Sequence, residues 1–168
     1  MSYCPSDTTS TTSSIVHTPR GDSIAIGDLS LQDTPSDAVP WPGNTYIIQD
    51  RHSKQSVCSH NGLSMAATSS TNKYTHWLCV ESRGYFGFFN KQSNQYLSFQ
   101  SDLIQMANDF GSRELFSPRR HPQGGYLLMV PYGSETLKQV GILCNETTLV
   151  ARHHAGAIWD FVQVSESK

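Results

Sequence analysis

The stretch from His76 to Asn90, HWLCVESRGYFGFFN, decides the fold because it joins two copies of one repeating unit. Its first part, HWLCV, has the short alternating pattern of a β-strand. ESRG then supplies the polar residues and the glycine of a turn, and YFGFFN begins a second, aromatic strand. Gly87, which lies between two phenylalanines, predicts a β-bulge or a close approach to the backbone.

Three copies of this unit follow one another along the chain at intervals of about forty residues. Each copy has an opening strand, a polar turn, a second strand, a short apolar segment and an aromatic closing strand. The opening strands are predicted at Tyr46–Ile48, Tyr85–Phe88 and Tyr126–Met129, and the closing strands at His76–Val80, Glu114–Phe116 and Ile158–Val162. We place the repeats at residues 45–81, 84–121 and 124–164.

Four strands in each of three copies predict an all-β protein of about twelve strands, since no segment shows a sustained helical period. A β-trefoil has this composition, with six strands in a barrel and six in hairpins that close one end. A propeller is excluded because three blades are too few to close it. Trp77 and Trp159 fall at equivalent places in their repeats, so we expect both indoles in the core.

Residues 1–40 differ in composition from the rest of the chain. They hold fourteen Ser or Thr residues, a single aromatic residue (Tyr3) and one basic residue (Arg20). Such a segment buries too little apolar surface to offset the entropy of ordering it, so we predict a flexible leader or a docked arm. The trefoil is then expected at residues 41–168.

Charge and cysteine content limit the functions that the chain can have. The formal net charge is −2 and charged residues make up 15%, which disfavours a nucleic-acid partner. No apolar run approaches the length of a membrane span, and no secretory signal is visible, so we expect a cytoplasmic protein without a membrane partner. Cys58, Cys79 and Cys144 lie among apolar residues, so we expect reduced, buried thiols.

Several motifs resemble those of fascin-like β-trefoil domains, in particular the small single-domain type found in fungi. They are W-x-G-N-x-Y-x-I-x-D-R at Trp41–Arg51, H-W-x-C-V-E at His76–Glu81, G-Y-x-G-F-x-N at Gly84–Asn90 and G-G-Y-x-L at Gly124–Leu128. The resemblance covers nearly all of residues 41–168. It implies a binding module whose ligands lie on loops or in clefts between lobes. It does not specify one activity, because the trefoil fold hosts many.

The resemblance does not extend to two better-known trefoil functions. Ricin-type sugar-binding trefoils close each repeat with Q-x-W, whereas this chain has Thr75–Trp77, Glu114–Phe116 and Ala157–Trp159, all without the glutamine. Actin bundling by fascins is the work of several tandem trefoils, so it is not expected of a single domain.

Polar residues collect at the predicted turns and supply the candidate site residues. For acid–base chemistry the candidates are Asp50, Arg51, His52, His76, Glu81 and His121; for ligand binding they are Asn90, Arg119, Arg120, Arg152, His153 and His154. Each also has a structural interpretation, such as a turn cap at Asp50 or Asn90, or an ion pair between Arg51 and Glu81. No metal site or cofactor is predicted, because adjacent histidines on a strand point to opposite faces.

Three functions are consistent with these residues. The first is a non-enzymatic, lectin-like or protein-binding module, with a carbohydrate, a small molecule or a protein as ligand. The second is an enzyme of a fungal biosynthetic pathway, an isomerase, cyclase or hydrolase, that uses a His/Asp/Arg pocket. The third is a protease inhibitor that presents the loop His121–Gly125. The sequence leaves the oligomeric state open.

Overall fold

The computed structural model describes residues 38–165. The regular secondary structure of these residues consists of β-strands and one short 3₁₀ turn. The strands of this part of the chain are β1 (Thr45–Asp50), β2 (Gln55–Cys58), β3 (Ser64–Ala67), β4 (His76–Ser82), β5 (Tyr85–Asn90), β6 (Gln95–Gln100), β7 (Leu103–Ala107), β8 (Ser117–Arg120), β9 (Tyr126–Tyr132), β10 (Thr136–Ile142), β11 (Leu149–Arg152) and β12 (Ile158–Gln163). One 3₁₀ turn, Lys73–Thr75, precedes β4. The described residues include no helix long and apolar enough to span a membrane.

Six strands close into a barrel, and the remaining strands of residues 38–165 form three hairpins. Pairing runs from β5 to β4, β1, β12, β9 and β8. An antiparallel bridge between Phe86 and Phe116 then joins β5 to the residue before β8 and completes the ring. The hairpins are β2–β3, β6–β7 and β10–β11. The predicted β-trefoil is therefore confirmed.

The quoted stretch forms the hairpin of β4 and β5, with a turn shorter than expected. Pairing extends to Ser82 and Tyr85, so only Arg83 and Gly84 form the connection. Both have positive φ, at 55° and 79°. A two-residue turn in which both residues have positive φ is a type I′ turn, and its twist matches the right-handed twist of the paired strands.

In each repeat an aromatic residue of the opening strand lies directly opposite an aromatic residue near the end of the repeat. Tyr46 lies opposite Trp77 in repeat one, and Tyr126 lies opposite Trp159 in repeat three. The equivalent pair in repeat two is the Phe86–Phe116 bridge. The first members of these pairs are separated by forty residues, so the sequence period is also the period of the barrel.

Large rings fill the barrel interior. Trp77, Phe116 and Trp159 are completely buried, and the two indoles were predicted in the core. The Trp77 Nε1–H donates to the Val57 carbonyl oxygen at 2.9 Å, and Trp159 Nε1–H donates to Val140 O at 3.2 Å. These bonds tie the barrel to the hairpins β2–β3 and β10–β11, and they satisfy the indole groups away from water.

The closing strand of repeat two was predicted three residues too early. Glu114 was expected in that strand, but its Oε2 accepts a bond of 2.7 Å from the Gly111 N–H and closes the preceding loop. Phe116 makes the first pairing contact, and β8 follows it. Arg119 and Arg120 consequently lie in a strand paired with β9, and the prediction that they occupy a turn is wrong.

Described residues that precede the predicted boundary at residue 41 contact the trefoil. Ala38 packs against the core, and Pro40 is buried. The Tyr46 hydroxyl donates to Val39 O at 3.1 Å and accepts from the Trp41 N–H at 2.9 Å, which fixes the chain where it enters β1. The rest of the predicted leader, residues 1–37, lies outside the described residues.

Two of the three cysteines expected to be buried are in the core. Cys58 and Cys79 are buried free thiols, as predicted. Cys144 is also free but exposed, so the prediction that it is buried is wrong. Its apolar neighbours in sequence are misleading because it lies in the turn after β10, where Leu143 is also exposed.

Gly87 marks a close approach on the outside of β5, made by a side-chain ring. A Cβ at Gly87 would overlap the ring of Phe110, which comes from the loop between β7 and β8. The Phe110 ring also packs on Tyr96 with centroids 5.1 Å apart, and Tyr96 packs on Phe89 at 4.7 Å. The outer wall of repeat two is therefore covered by aromatic side chains.

We predict that Gly87→Ala destabilises the fold by about 1–3 kcal/mol, because the new methyl group displaces the Phe110 ring. Urea unfolding of the single variants and of Gly87→Ala/Phe110→Ala forms a double-mutant cycle. In the Phe110→Ala background the cost of Gly87→Ala should largely disappear. An equal cost in both backgrounds would show that the glycine is needed for another reason.

Candidate functional site

A cleft of about 570 Å³ lies on the outer face of β1 and β4. Tyr46 and Trp77 point into the barrel, so their neighbours along the strands point outward. The lining residues are Thr45, Ser70, Lys73, His76, Leu78, Lys91, Gln92, Val164 and Ser165. They come from repeat one, from the first turn of repeat two and from the end of β12, so the cleft lies where different parts of the trefoil meet.

The cleft has a half-buried floor and an exposed rim. Thr45, His76, Leu78 and Val164 are half-buried, whereas both lysines and Gln92 are exposed. His76 Nε2 is shielded from solvent and has no hydrogen-bond partner in residues 38–165. A buried polar atom without a partner is uncommon in folded proteins, so the floor retains an unused hydrogen-bonding group.

The side chain of Asn90 forms hydrogen bonds with two segments that line the cleft. Its side chain is completely buried, and Nδ2 lies 3.2, 2.9 and 3.0 Å from the carbonyl oxygens of Lys73, Tyr74 and His76. Its Oδ1 accepts from the backbone N–H groups of Gln92 and Ser93 at 2.9 and 3.0 Å. One amide group thus holds the 3₁₀ turn, the start of β4 and the β5–β6 turn together.

Asp50 occupies the equivalent position forty residues earlier, but it caps only its own turn. Asp50 is also buried, and its Oδ2 accepts from the Ser53 N–H at 2.7 Å. A carboxylate has no N–H with which to bind the carbonyls of a neighbouring loop. Both residues cap their turns, as their structural interpretation predicted, but Asn90 alone of the two can also donate to a second segment.

An exposed tryptophan stands at the entrance to β1. The Trp41 side chain is 65% exposed although its backbone is held by the Tyr46 hydroxyl. The Asn44 N–H donates to Trp41 O at 3.3 Å, which forms a tight turn that leads directly to Thr45 of the cleft. Exposed tryptophans of this kind offer a flat apolar surface to a ligand.

Most of the acid–base candidates lie away from this cleft. Arg51 pairs with the buried Asp160 (Nη1 to Oδ1, 3.6 Å), so the ion pair expected with Glu81 is wrong. The Lys54 ammonium contacts Asp160 Oδ2 at 3.3 Å. Arg51 also lies against Gly124 and Gly125, where a Cβ would meet its guanidinium. This cluster joins repeats one and three, with His52 exposed on the same turn as Arg51.

The remaining candidates are spread over the surface. Glu81 is exposed near the end of β4, and His121 Nδ1 accepts from the Gln123 N–H at 3.2 Å in the β8–β9 turn. Arg119 is exposed on β8, and the Arg120 guanidinium lies 5.9 Å from the centre of the Tyr126 ring.

Three further candidates follow one another at the end of β11 and beyond it. Arg152 is half-buried and the last residue of that strand, His153 makes an edge contact of 5.9 Å with Tyr132, and His154 is exposed. Of the predicted site residues, only His76 lines the cleft.

The buried thiol of Cys79 is not available as a nucleophile. Burial, with a smaller contribution from the charge of Glu81, raises the pKa of the Cys79 thiol to about 12. The thiol is therefore protonated at neutral pH and unreactive. No group of three His, Cys, Asp or Glu side chains in residues 38–165 is arranged to hold a metal ion.

Sequence reasoning missed most of the cleft. Ser70 and Lys73 lie in the polar segment TSSTNKYT, which contains no recognisable motif, and Val164 follows the last strand. One signal was available: Asn90 stands forty residues after Asp50, and an amide at this position can bridge to another segment where a carboxylate cannot. That difference marks the turn of Lys91 and Gln92 as the one anchored to a neighbouring loop.

No protein-family model matches the sequence, and no curated protein matches it. Solved structures share its fold. The ricin B-like lectin of Macrolepiota procera, solved in complex with lactose, matches with a TM-score of 0.62 and 14% identity over 74% of this chain and 98% of the lectin. ThreeFoil, a designed threefold-symmetric protein, matches with a TM-score of 0.58 and 16% identity over 72% of this chain and 98% of its own.

A larger enzyme contains a similar domain. The GlcNAcα1-4Gal-releasing endo-β-galactosidase from Clostridium perfringens matches with a TM-score of 0.63 and 16% identity over 73% of this chain. The match spans only 33% of the enzyme. At these identities the likenesses establish the β-trefoil fold.

We predict that Asn90→Asp destabilises the protein by about 3 kcal/mol or more at pH 7, because a carboxylate replaces the donor that faces three carbonyl oxygens. Urea unfolding measures the loss. Asp50→Asn is the matched control: it keeps the acceptor for Ser53 and should cost about 1 kcal/mol or less. Similar losses at both positions would show that Asn90 acts as a turn cap alone.

Proposed function

We propose that residues 38–165 form a carbohydrate-binding module and that the saccharide lies in the cleft over β1 and β4. The observation that carries this proposal is the open cleft of about 570 Å³, whose two walls are fixed by the buried amide of Asn90. Its volume is within the range of ligand sites, roughly 300–1,000 Å³.

The chemistry of the lining fits a saccharide. Thr45, Ser70 and Ser165 supply hydroxyl groups, and Gln92 supplies an amide that both donates and accepts. Leu78 and Val164 provide a small apolar surface for the C–H face of a sugar ring. Because Asn90 fixes the backbone of both walls before a ligand arrives, binding needs little ordering of the main chain.

Similar folds supply independent support. The Macrolepiota procera protein is a lectin and was solved with lactose, and this chain spans almost its entire length. This chain has none of the Q-x-W glutamines of ricin-type repeats. We therefore propose a saccharide site on the outer barrel face that does not use a Q-x-W motif.

The setting of the module is also a proposal. Motif residues shared with fascin-like trefoils, such as Asp50 and Asn90, support kinship with the small fungal type. The free thiols of Cys58 and Cys79 support a cytoplasmic location, where disulfides are rare. The enzyme hypothesis finds less support, because the register of β1 and β4 places Glu81 beyond the start of β1, whereas Arg51 follows the end of β1.

A glycan microarray screened with the full chain tests the proposal, followed by calorimetric titration of the saccharides that bind. We expect Gln92→Ala to weaken binding about five- to tenfold, the effect of losing about one hydrogen bond. The matched control is Gln123→Ala, which removes an exposed glutamine from the β8–β9 turn and should change the affinity less than twofold.

Two results would contradict the proposal. The first is that no saccharide binds a correctly folded chain. The second is that Gln123→Ala weakens binding while Gln92→Ala leaves it unchanged, which would place the ligand near His121 and the Arg51–Asp160 pair.

A further inference from the structure

The two most exposed large apolar side chains of residues 38–165 lie in the segment that enters β1. Trp41 is 65% exposed and Val39 is 60% exposed, whereas Pro40 between them is buried. Both exposed side chains therefore point away from the core. Exposed apolar side chains that lie together, unlike single ones, are typical of a site of interaction.

The indole of Trp41 has no counterpart in the other two repeats. The positions forty and eighty residues later hold Glu81 and His121, which are polar. The rings that the barrel requires do recur, since Tyr46 and Tyr126 occupy equivalent places in their repeats. The threefold core therefore does not account for an aromatic side chain at residue 41.

A rigid turn carries this indole. Residues 41–44 read W-P-G-N, with proline second and Gly43 third at a φ of 88°, which is the pattern of a type II turn. The Asn44 N–H donates to Trp41 O at 3.3 Å, and the Trp41 N–H donates to the Tyr46 hydroxyl at 2.9 Å. Because the backbone at Trp41 is fixed in advance, a ligand can contact the indole without ordering the main chain.

The turn is held against β4 at the end of the cleft. The Gly43 N–H donates to Cys79 O at 2.8 Å. The next pair along the two strands is Thr45 with Leu78, and both residues line the cleft. A β-turn brings its first and fourth Cα atoms within about 7 Å of each other, and Thr45 directly follows this turn. Trp41 is therefore adjacent to the end of the cleft.

From these observations we infer that the saccharide site extends from the cleft onto Trp41 and Val39, so that the ligand is an oligosaccharide and not a single sugar. One part of the saccharide lies in the cleft over Leu78. A further sugar unit packs its C–H face on the indole, which is a flat apolar surface. This inference rests on the proposed function and adds the length of the ligand.

Calorimetric titration of the full chain with galactose, lactose and lacto-N-tetraose tests the inference. These probes have one, two and four sugar units and share a terminal galactose. If the array selects another saccharide, that saccharide and its shorter fragments replace them. Trp41→Ala should weaken binding of the longest probe about tenfold, the effect of losing one aromatic contact, and leave the shortest probe that binds within about twofold.

Two further variants control for the substitution. Trp41→Phe keeps an aromatic face and should retain part of the gain in affinity with length. Leu137→Ala removes another exposed large apolar side chain, from β10 outside the cleft, and should change no affinity by more than about twofold. Circular dichroism and the urea midpoint confirm that each variant is folded.

Fluorescence measures the contact with the indole directly. The chain has three tryptophans, and Trp77 and Trp159 are completely buried, so acrylamide quenching of the free chain reports on Trp41. We expect saturation with the longest probe to reduce this quenching, and saturation with the shortest probe that binds to leave it nearly unchanged.

The outcomes distinguish the inference from the proposed function. If Trp41→Ala binds every probe as the natural chain does, while Gln92→Ala still weakens binding, the extended site is wrong and the carbohydrate module stands. Equal losses for short and long probes would also overturn the inference, as would an indole that acrylamide does not reach in the free chain. If none of the probes nor any arrayed saccharide binds, both proposals fail.

Discussion

Each repeat of this chain must bring one large ring to the barrel interior, and the rest of the structure depends on that constraint. Trp77, Phe116 and Trp159 are completely buried and lie opposite Tyr46, Phe86 and Tyr126, which recur every forty residues. Each buried ring contributes on the order of 2–3 kcal/mol. Because a barrel closes only when all three pairs are in register, the repeat spacing is fixed and the loops between strands are free to differ.

The candidate site arises where the repeats differ. In repeat two Phe110, from the loop before β8, packs over Gly87 on the outside of the barrel. In repeat one the loop before β4 leaves a cleft between Ser70, Lys73 and the barrel. Asn90 then joins this loop to the next repeat, a connection that Asp50 cannot make. Threefold symmetry stabilises the fold, and the cleft lies where the loops of the described repeats depart from it.

The fold was predictable from the sequence and the site largely was not, for one physical reason. Core positions repeat, so three copies of a four-strand unit predict a trefoil, and the equivalent places of Trp77 and Trp159 predict that both indoles lie in the core. The closing strand of repeat two was misplaced because a glutamate that caps a loop and a residue that begins a strand look alike in sequence. The cleft depends on which loops meet in the folded chain. Neither Lys73 nor Val164 belongs to a sequence motif that indicates a binding site. Of the residues that line or support the cleft, only His76 and the buried Asn90 were predicted.

The measurement that tests this account most directly is a ¹H–¹⁵N correlation titration of the full chain with a saccharide that it binds. Backbone amides report the position of a ligand without any substitution. The account predicts that the largest shifts fall on Lys73, His76 and Gln92, which belong to different walls of one cleft. Shifts centred on the Gly124–Gly125 turn or on the hairpin at Gly133, with none at the cleft, would contradict it.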